Sequence, residues 1–473
     1  MSSPALMMHR FVAVAFILLG PVLAPSTAQA DSVSTSPPKP NILVFLADDL
    51  GSADVPWRGG NYSMPVLDAL AKESARLESH YVHPMCSPTR AALLSGRYAS
   101  RFGCTGAQNE LVYPSGTVTL AAALQSVGYR TALAGKWHLG SKPEWGPNHY
   151  GFDESYGSLA GGVGPYVHQY KTGPFEKTWH RNEKLLSEEG HVTDLIAREA
   201  VQFLEAQTAA KPFFLYVPFT AVHVPITEPQ EWLNRNSHID DAGARLHAAC
   251  ASHMDDAIGR VLTTLDKRGL RDNTIVVFFS DNGGHDTTSN VSQAYAGDYP
   301  NVKVAGHNTP LRGFKSQLYD GGIRSATIIR WPGHIAAGLQ IDQPTHTVDF
   351  FPTFAKLVGY QPPQDLRWDG HDIGSLLLSP DKKLTPALAD RTIYCAGVGY
   401  RGSALRQGRW KLIVDRKGTE ELYDLAADPS ESRNLATAET EQVSRLKALM
   451  RAAAAADRDS MTEETSKKPA KGD

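Results

Sequence analysis

The sequence predicts an α/β fold with a large central, mostly parallel sheet flanked by helices and a smaller C-terminal subdomain built on a short antiparallel sheet and a helix. Three observations predict this fold. Continuous apolar runs such as NILVFLA and TIVVFFS are typical of strands buried on both faces. Segments with helical spacing alternate with these runs, as in a doubly wound sheet. Beyond about residue 390, short segments parted by turns alternate apolar and polar residues, as in a small antiparallel sheet.

The first thirty residues have the pattern of a secretory signal peptide. His9 and Arg10 precede the apolar run FVAVAFILLGPVLA, and small residues lead up to Ala30 as in a cleavage site. The run is shorter than the ~20 apolar residues of a membrane span, and no stop-transfer segment follows it. We therefore expect an exported protein, periplasmic or extracellular, with no membrane span. A flexible, Pro-rich lead-in over 31–40 follows the signal.

The elements of the main domain follow one another along the chain. The run beginning at Asn41 is interpreted as a buried strand, and TLAAALQSV as a helix that stops at Gly128, a typical left-handed C-cap. A helix over 191–206, with Thr193 as a possible N-cap, precedes the strand PFFLYVP. A long amphipathic helix closed by Gly269 precedes TIVVFFS.

These elements divide the chain into three parts after the lead-in. Residues 41–385 are expected to form the main α/β domain, and residues 386–456 a C-terminal α+β subdomain that ends in a helix. The charged segment 457–473 is expected to be a disordered tail.

Composition excludes several classes of protein. The chain has 473 residues and a formal net charge of −3, so it lacks the basic field that attracts nucleic acid, and we expect no nucleic-acid partner. Its four cysteines are too few for a disulfide scaffold. A bridge between Cys86 and Cys104 is possible by spacing but is not favoured by it.

Hard oxygen ligands follow two of the predicted buried strands. Asp48 and Asp49 come directly after NILVFLA, and Asp281 and Asn282 come directly after TIVVFFS. Ligands of open α/β sheets bind beyond the carboxyl ends of the strands, so these four side chains are expected to meet in one crevice. Three carboxylates in one place require a cation, and all-oxygen ligation favours Ca²⁺, or less readily Mg²⁺, over zinc. The alternative is that these residues only serve turns and helix caps.

Basic side chains follow other strand ends. The motifs GKWHLG, AVHVP and PLRGFKSQLYDGG and the stretch HPMCSPTRAALLSGR supply six of them: Arg90, Lys136, His138, His223, Arg312 and Lys315. A crevice that combines a cation with such side chains suits a tetrahedral oxyanion, and histidine can transfer protons near neutral pH.

The motif CSPTRAALLSGRY resembles the C-x-P-x-R signature of the type I, formylglycine-dependent sulfatases of the alkaline phosphatase superfamily. ADDLG, GKWHLG, FTAVHVP, SDNGG and PLRGFKSQLYDGGIR are similar to further motifs of that family, in the same order, over about residues 40 to 440. Within that family, the motifs most resemble those of the arylsulfatase B-like enzymes. Thr89 stands where serine is commonest in the family, which leaves C-x-P-x-R intact.

The resemblance implies a role for each matched residue. Cys86 would be oxidised to Cα-formylglycine by a formylglycine-generating enzyme or its equivalent, and one hydroxyl of the hydrate would attack the sulfur of a sulfate ester. The implied Ca²⁺ ligands are Asp48, Asp49, Asp281, Asn282 and the modified residue 86. Arg90 and Lys136 would hold the nucleophile and the sulfate. His223 and Lys315 would contact the sulfate and protonate the leaving alkoxide, and His138 would be the base that ends the cycle.

The resemblance implies an exported sulfatase that acts on sulfated carbohydrates or aryl sulfates. One alternative is a phosphodiesterase or phosphonate monoester hydrolase of the same superfamily. Another is an inactive sugar-binding protein, although the chain keeps Cys86, His138 and Asp281. Leaving-group specificity is assigned to loops such as 141–190, 285–308 and 395–403. Arg312 and His285 lie beside matched motifs without an assigned role.

Overall fold

The computed structural model describes residues 1–3, 5, 7–13, 15, 39–291, 294–379 and 384–466. The predicted signal peptide from residue 16 onward and the lead-in up to residue 38 lie outside these residues. The described residues before position 16 form neither helix nor strand. The strands are β1 (Asn41–Ala47), β2 (Ala75–Tyr81), β3 (Arg130–Lys136), β4 (Glu154–Ser158), β5 (Trp179–Arg181), β6 (Lys184–Leu185), β7 (Phe213–Pro218), β8 (Thr274–Ser280), β9 (Thr288–Ser289), β10 (Lys303–Val304), β11 (Arg324–Arg330), β12 (Gln340–Ile341), β13 (Thr345–His346), β14 (Thr392–Ala396), β15 (Gly402–Gln407), β16 (Trp410–Asp415) and β17 (Glu420–Asp424).

Helices connect most of these strands. The α-helices are α1 (Pro65–Lys72), α2 (Cys86–Ser95), α3 (Leu120–Ser126), α4 (Val192–Glu205), α5 (Gln230–Arg235), α6 (Ala242–Lys267), α7 (Asp320–Ile323), α8 (Phe350–Val358), α9 (Gly374–Leu378), α10 (Pro386–Ala389), α11 (Thr440–Ala454) and α12 (Glu463–Ser466). Short 3₁₀ helices are Pro56–Arg58, Ala99–Phe102, Pro143–Trp145, Pro147–Tyr150, Thr347–Asp349 and Val398–Tyr400. Within the described residues, every helix is too short or too polar to span a bilayer.

The main sheet confirms the predicted α/β fold. Among the described residues, its strand order is β12-β2-β11-β8-β1-β7-β3-β4-β5-β6, with β13 also paired to β2. The five central strands, from β8 to β4, are mutually parallel. β11 runs antiparallel between β8 and β2, and β5 and β6 close the other edge as antiparallel strands. The carboxyl ends of the central strands therefore share one edge of the sheet.

The apolar strands are buried on both faces because helices cover both sides of the sheet. On β1, Leu43 and Phe45 pack into the cluster that contains Met254 of α6. Ile42 and Val44 point the other way, into the cluster that contains Phe354 of α8. This alternation explains why the strands read as continuous apolar runs. The two cores hold the sheet rigid beneath its carboxyl edge.

The helix over 191–206 forms as predicted, but its N-cap differs. The side chain of His191 accepts a hydrogen bond from the backbone N–H of Thr193, so His191 caps the helix and Thr193 lies inside it. An imidazole nitrogen replaces the expected hydroxyl in this role.

The small C-terminal sheet is antiparallel, in the order β14-β15-β16-β17, and α11 packs on it. Its attachment to the main sheet includes a buried ion network in which the ammonium of Lys411 lies 2.7 Å from Asp320 Oδ1 and 2.7 Å from Glu431 Oε1. Because all three side chains are buried, loss of one partner would leave an uncompensated charge.

Residues 457–466 depart from the predicted disordered tail. Asp457 and Asp459 form ion pairs with Arg101 and Arg97 at 2.8 Å each, and the segment ends in the short helix α12. Charge in this segment is therefore used to attach it to the domain, which composition alone does not reveal. Residues 467–473 lie outside the described part of the chain.

Candidate active site

The predicted oxygen ligands converge at the carboxyl edge of the sheet. Strands β1 and β8 pair in parallel with Ala47 opposite Ser280, so the next residues of both strands leave the sheet at the same level. Asn282 Nδ2 donates to Asp49 Oδ1 at 2.8 Å, and the backbone N–H of Asp49 donates to Asp281 Oδ1 at 3.3 Å. Asp49 has a φ of 66°, the left-handed region that Asp tolerates better than most residues.

Cys86 is the first residue of α2 and lies on this same site. Its sulfur and one carboxylate oxygen each from Asp48 and Asp281 lie within 4.8 Å of one another. Burial raises the pKa of the Cys86 thiol, so the thiolate is disfavoured. Cys86 and Cys104 are both free, so the bridge left open by the spacing does not form. Residue 86 is therefore buried, and its unmodified thiol is a poor nucleophile.

Three cations match the three carboxylates of the site. Arg90 donates from Nη2 and Nε to Asp281 Oδ2 at 2.7 and 3.1 Å and from Nη1 to the backbone oxygen of Lys136 at 2.8 Å. Lys136 forms an ion pair with Asp48, and the Lys315 ammonium lies 2.6 Å from Asp49 Oδ1. The formal charges of these six side chains therefore cancel. A bound divalent cation would give the site a net positive charge, which would attract an incoming anion.

The arrangement fits a hard metal ion. Asp48 Oδ1 and Asn282 Oδ1 are buried and have no hydrogen-bond partner among the described residues. Buried acceptors without partners are rare, and each costs free energy unless something donates to it or coordinates it. Together with Asp49 and Asp281 these atoms form an oxygen set of the kind that Ca²⁺ or Mg²⁺ prefers.

His138 lies just beyond β3 and is buried, with a φ of 58°. Both of its ring nitrogens lack a hydrogen-bond partner among the described residues. Burial lowers the pKa of His138 well below its ordinary value, and the charges of Lys136 and Arg90 lower it further. A Cβ on Gly161 would lie only 2.5 Å from His138 Nε2, so that glycine leaves room for the ring. The lowered pKa favours the neutral imidazole, which can accept a proton.

His223 and Lys315 both lie near the carboxylate of Asp49. His223 Nε2 is 3.8 Å from Asp49 Oδ2. Burial and the charge of Lys315 lower the pKa of His223 to about 3, so its imidazole is neutral at neutral pH. Burial opposes the charged form of Lys315, but Asp49 outweighs it and the pKa of Lys315 is raised. Lys315 is therefore the charged donor of this pair.

Two residues left without a role by the sequence have distinct positions. Arg312 hydrogen-bonds the Tyr423 hydroxyl at 2.9 Å and the backbone oxygen of Glu431 at 2.9 Å, so it links the main domain to the C-terminal sheet. The ring of His285 packs against His247 with centroids 5.8 Å apart. Its Nε2 is buried and has no partner among the described residues.

The glycine-rich stretch SLAGGVGPY begins at Ser158, which pairs with Lys136 across β3 and β4. Ser158 ends β4, is fully buried and donates to the backbone oxygen of Ala160 at 3.1 Å.

The sequence does not predict the hydrogen bonds by which Asn308 joins two loops of the site. The Asn308 amide accepts from Gly284 N–H at 3.0 Å and donates to the Gly284 and Gly313 backbone oxygens at 3.0 and 3.2 Å. It thereby ties the loop after Asn282 to the loop that carries Lys315. No sequence signal separates this asparagine from the others in loops, because its role depends on two segments meeting in space.

Comparison with known proteins agrees with this geometry. The sequence model of the Sulfatase family matches residues 40–360, and that of the N-sulphoglucosamine sulphohydrolase C-terminal region matches residues 314–456. Arylsulfatase J of Mus musculus is 31% identical over 422 residues, covering 82% of this chain and 66% of that protein. N-acetylgalactosamine-6-sulfatase of Mus musculus is 33% identical over 393 residues, covering 78% of this chain and 70% of that protein.

A solved structure shows the same architecture. The crystal structure of Ps i-CgsB in complex with k-i-k-neocarrahexaose is similar with a TM-score of 0.79 and 29% sequence identity, covering 89% of this chain and 93% of that chain. The Sulfatase match over 40–360 contains every residue of the predicted site. The resemblance seen in the motifs is confirmed: the chain belongs to the sulfatase family, a family of sulfuric ester hydrolases.

Proposed function

We propose that this protein is an exported sulfatase that hydrolyses sulfate esters of carbohydrates to an alcohol and inorganic sulfate, with a formylglycine derived from Cys86 and a bound Ca²⁺ ion. One observation carries the proposal: Cys86 opens α2 inside a cluster of three carboxylates and three cations at the carboxyl edge of the sheet. Export rests on the signal-peptide pattern of the first thirty residues.

Modification of Cys86 explains how a residue with a poorly nucleophilic thiol can act as the nucleophile. Because burial raises the pKa of the Cys86 thiol, little thiolate is present to act as a nucleophile. Oxidation to the aldehyde removes the thiol, and hydration of the aldehyde supplies hydroxyl groups suited to covalent catalysis. A formylglycine-generating enzyme or its equivalent is the partner that this maturation requires.

The metal would be held by the oxygen set at the ends of β1 and β8, namely Asp48, Asp49, Asp281 and Asn282. When bound, Ca²⁺ would supply Lewis-acid polarisation of the sulfate ester and favour deprotonation of the nucleophile. The two acceptors without partners, Asp48 Oδ1 and Asn282 Oδ1, support this assignment.

The charged side chains bind and orient the sulfate group. Arg90 lies in α2 and is fixed by Asp281, and the N-terminus of that helix also favours an anion. Lys136 and Lys315 add two ammonium groups, which form ion pairs with Asp48 and Asp49. Fixed cations of this kind stabilise charge that develops on oxygen in the transition state.

Different residues supply the base and the acid of the proposed reaction. The neutral imidazole of His138, with both nitrogens free of partners, accepts a proton from the residue at position 86. Lys315, whose ammonium is stabilised by Asp49, donates toward the leaving oxygen, with His223 beside it. The acid and the base are thus separate groups, one paired with Asp49 and one just beyond β3.

A carbohydrate substrate class is supported by the similar proteins. One is a sulfatase of N-acetylgalactosamine 6-sulfate, and another was crystallised with k-i-k-neocarrahexaose. The alternative, a phosphodiesterase or phosphonate monoester hydrolase of the superfamily, shares the metal cage and the nucleophile position and differs in the group attacked.

The experiment compares initial rates on 4-nitrophenyl sulfate and bis(4-nitrophenyl) phosphate. We expect the sulfate ester to be cleaved faster, with release of inorganic sulfate. Cys86→Ala should abolish turnover, whereas Cys104→Ala, which changes another buried free cysteine, should retain it. Much faster cleavage of the phosphodiester would refute the sulfatase assignment.

A further inference from the structure

Two loops meet beside the residues of the proposed active site. The backbone N–H and the hydroxyl of Thr172 both contact the backbone oxygen of Ala294, at 3.1 and 3.4 Å. These contacts link the loop that follows β4 to the loop that lies between β9 and β10. The first loop spans residues 159–178, and the described part of the second spans residues 290–291 and 294–302. Side chains at their junction are held in place by the contact between the loops.

A lysine and two tyrosines form a cluster at this junction. The Lys171 ammonium lies 5.9 Å from the ring centroid of Tyr170 and 5.5 Å from that of Tyr295. The two rings pack edge to face with centroids 5.9 Å apart. Lys171 and Tyr295 are both partly exposed, so a ligand can reach the cluster. Aromatic faces beside a cation are suited to a sugar ring that carries a negative group.

The cluster borders the sulfate-binding residues. A Cβ on Gly162 would lie 2.8 Å from the Tyr295 hydroxyl and 3.5 Å from His223 Nδ1, so only glycine leaves the hydroxyl room beside His223. Burial raises the pKa of Tyr295, and Tyr170 and Asp48 raise it further. Burial lowers the pKa of Lys171, and the charge of Lys315 adds to this effect.

We propose that Lys171, Tyr170 and Tyr295 form a second anion subsite, which binds a further sulfate or carboxylate group carried by the same saccharide as the scissile ester. The Lys171 ammonium would attract the second negative group, while the sugar ring packs on the tyrosines beside it. The subsite selects saccharides that bear at least two negative groups over those that bear one. This inference rests on the proposed function and narrows its substrate class to polyanionic saccharides.

The test measures binding by titration calorimetry to the Cys86→Ala protein, which needs no turnover. The probes are 4-nitrophenyl sulfate, N-acetylgalactosamine 6-sulfate, N-acetylgalactosamine 4,6-disulfate, and a disaccharide of N-acetylgalactosamine 6-sulfate with a uronic acid. We expect at least one probe with two charged groups to bind about tenfold more tightly than the monosulfated sugar. The disulfate and the uronate probe distinguish a sulfate from a carboxylate as the second group.

Lys171→Met should reduce this preference at least about fivefold, and Tyr295→Phe should reduce it less, since only a hydroxyl is lost. Lys177→Met is the matched control: Lys177 is an exposed lysine of the same loop, and its change should leave the preference intact. Equal binding of singly and doubly charged probes, or a preference that Lys171→Met does not alter, would overturn the proposal.

Turnover of 4-nitrophenyl sulfate by the unmutated protein separates this inference from the proposed function. If no sulfate ester is cleaved but the Lys171-dependent preference is measured, the sulfatase mechanism fails and the subsite stands. If sulfate esters are cleaved and the preference is absent, the mechanism stands and the subsite fails.

Discussion

Arg90 holds Asp281 with two nitrogens of its guanidinium, at 2.7 and 3.1 Å from Oδ2, and both side chains are fully buried. This pair joins α2, which begins at Cys86, to the end of β8. Burial works against both charges, but each stabilises the other, and the pKa of Arg90 is raised by Asp281. Position 86 is therefore held near the sheet by an ion pair, and loss of either member would leave the other charge buried without its partner.

Removal of the arginine charge tests this coupling. Arg90→Met should lower the free energy of unfolding by about 3 kcal/mol, because Asp281 would be buried without its partner. In the double variant Arg90→Met with Asp281→Asn, the loss should be smaller than the sum of the two single losses. Urea denaturation with a chelator present measures both. Arg409→Met, which breaks a pair at an exposed guanidinium, should leave the midpoint nearly unchanged. Additive losses in the double variant would contradict the coupling.

Calcium should bind to the folded protein and stabilise it. We expect Ca²⁺ to raise the melting temperature measured after chelator treatment, by an amount equivalent to about 2.7 kcal/mol when its concentration is 100 times the dissociation constant. Asn282→Leu removes one of the two oxygens without a partner and should abolish most of that rise. Asn148→Leu, at an amide that donates to the backbone oxygen of Phe152 and is not in the oxygen set, should retain it. A melting temperature indifferent to Ca²⁺ would argue against the assigned ligands.

His138 should matter to turnover far more than to folding. His138→Asn keeps a residue that tolerates the left-handed backbone at φ 58°, and it removes an imidazole whose nitrogens have no partner among the described residues. We expect kcat to fall by about 100-fold or more while the melting temperature changes little. Steady-state kinetics and thermal denaturation on the same preparation check this. A large drop in melting temperature with kcat preserved would mean that His138 is only structural.

His253 should make stability depend on alkaline pH. Burial alone would lower its pKa, but Asp194 at 3.2 Å and Glu228 at 2.7 Å outweigh burial and raise the pKa to about 9. Because the folded pKa exceeds the unfolded value near 6.5, the stabilisation is complete below pH 6.5 and is lost as pH rises through 9. We expect a loss on the order of 2 kcal/mol over this range.

The control for this pH dependence is a second histidine. His253→Gln should flatten the decline of unfolding free energy between pH 6 and 9.5. His149→Gln, at a far more exposed ring near Glu183, should leave the decline as it is. An unchanged slope in His253→Gln would show that another group titrates in this range.

The strands and the convergence of the metal ligands were predictable from the sequence. Apolar runs buried on both faces favour parallel packing, and the residues after the parallel strands β1 and β8 then emerge at one edge. The motif resemblance placed Cys86 and the basic residues in the same site, and the structure brings them together there.

Contacts between distant loops were not predictable. Asn308 and Tyr295 act through segments that meet only in the folded chain, and neither stands in a recognisable pattern. The ordering of 457–466 likewise depends on Arg97 and Arg101, more than 350 residues earlier. Composition predicts disorder for a charged segment because it carries no information about such partners.

The central claim is that position 86 carries an aldehyde in the working protein. Mass spectrometry of the peptide that contains residue 86, from active protein made in its native host, measures this directly. The account predicts formylglycine, seen as a loss of mass relative to the cysteine peptide and as reactivity toward carbonyl reagents, while Cys104 in the same digest remains a thiol. Active protein that carries only cysteine at position 86 would contradict it.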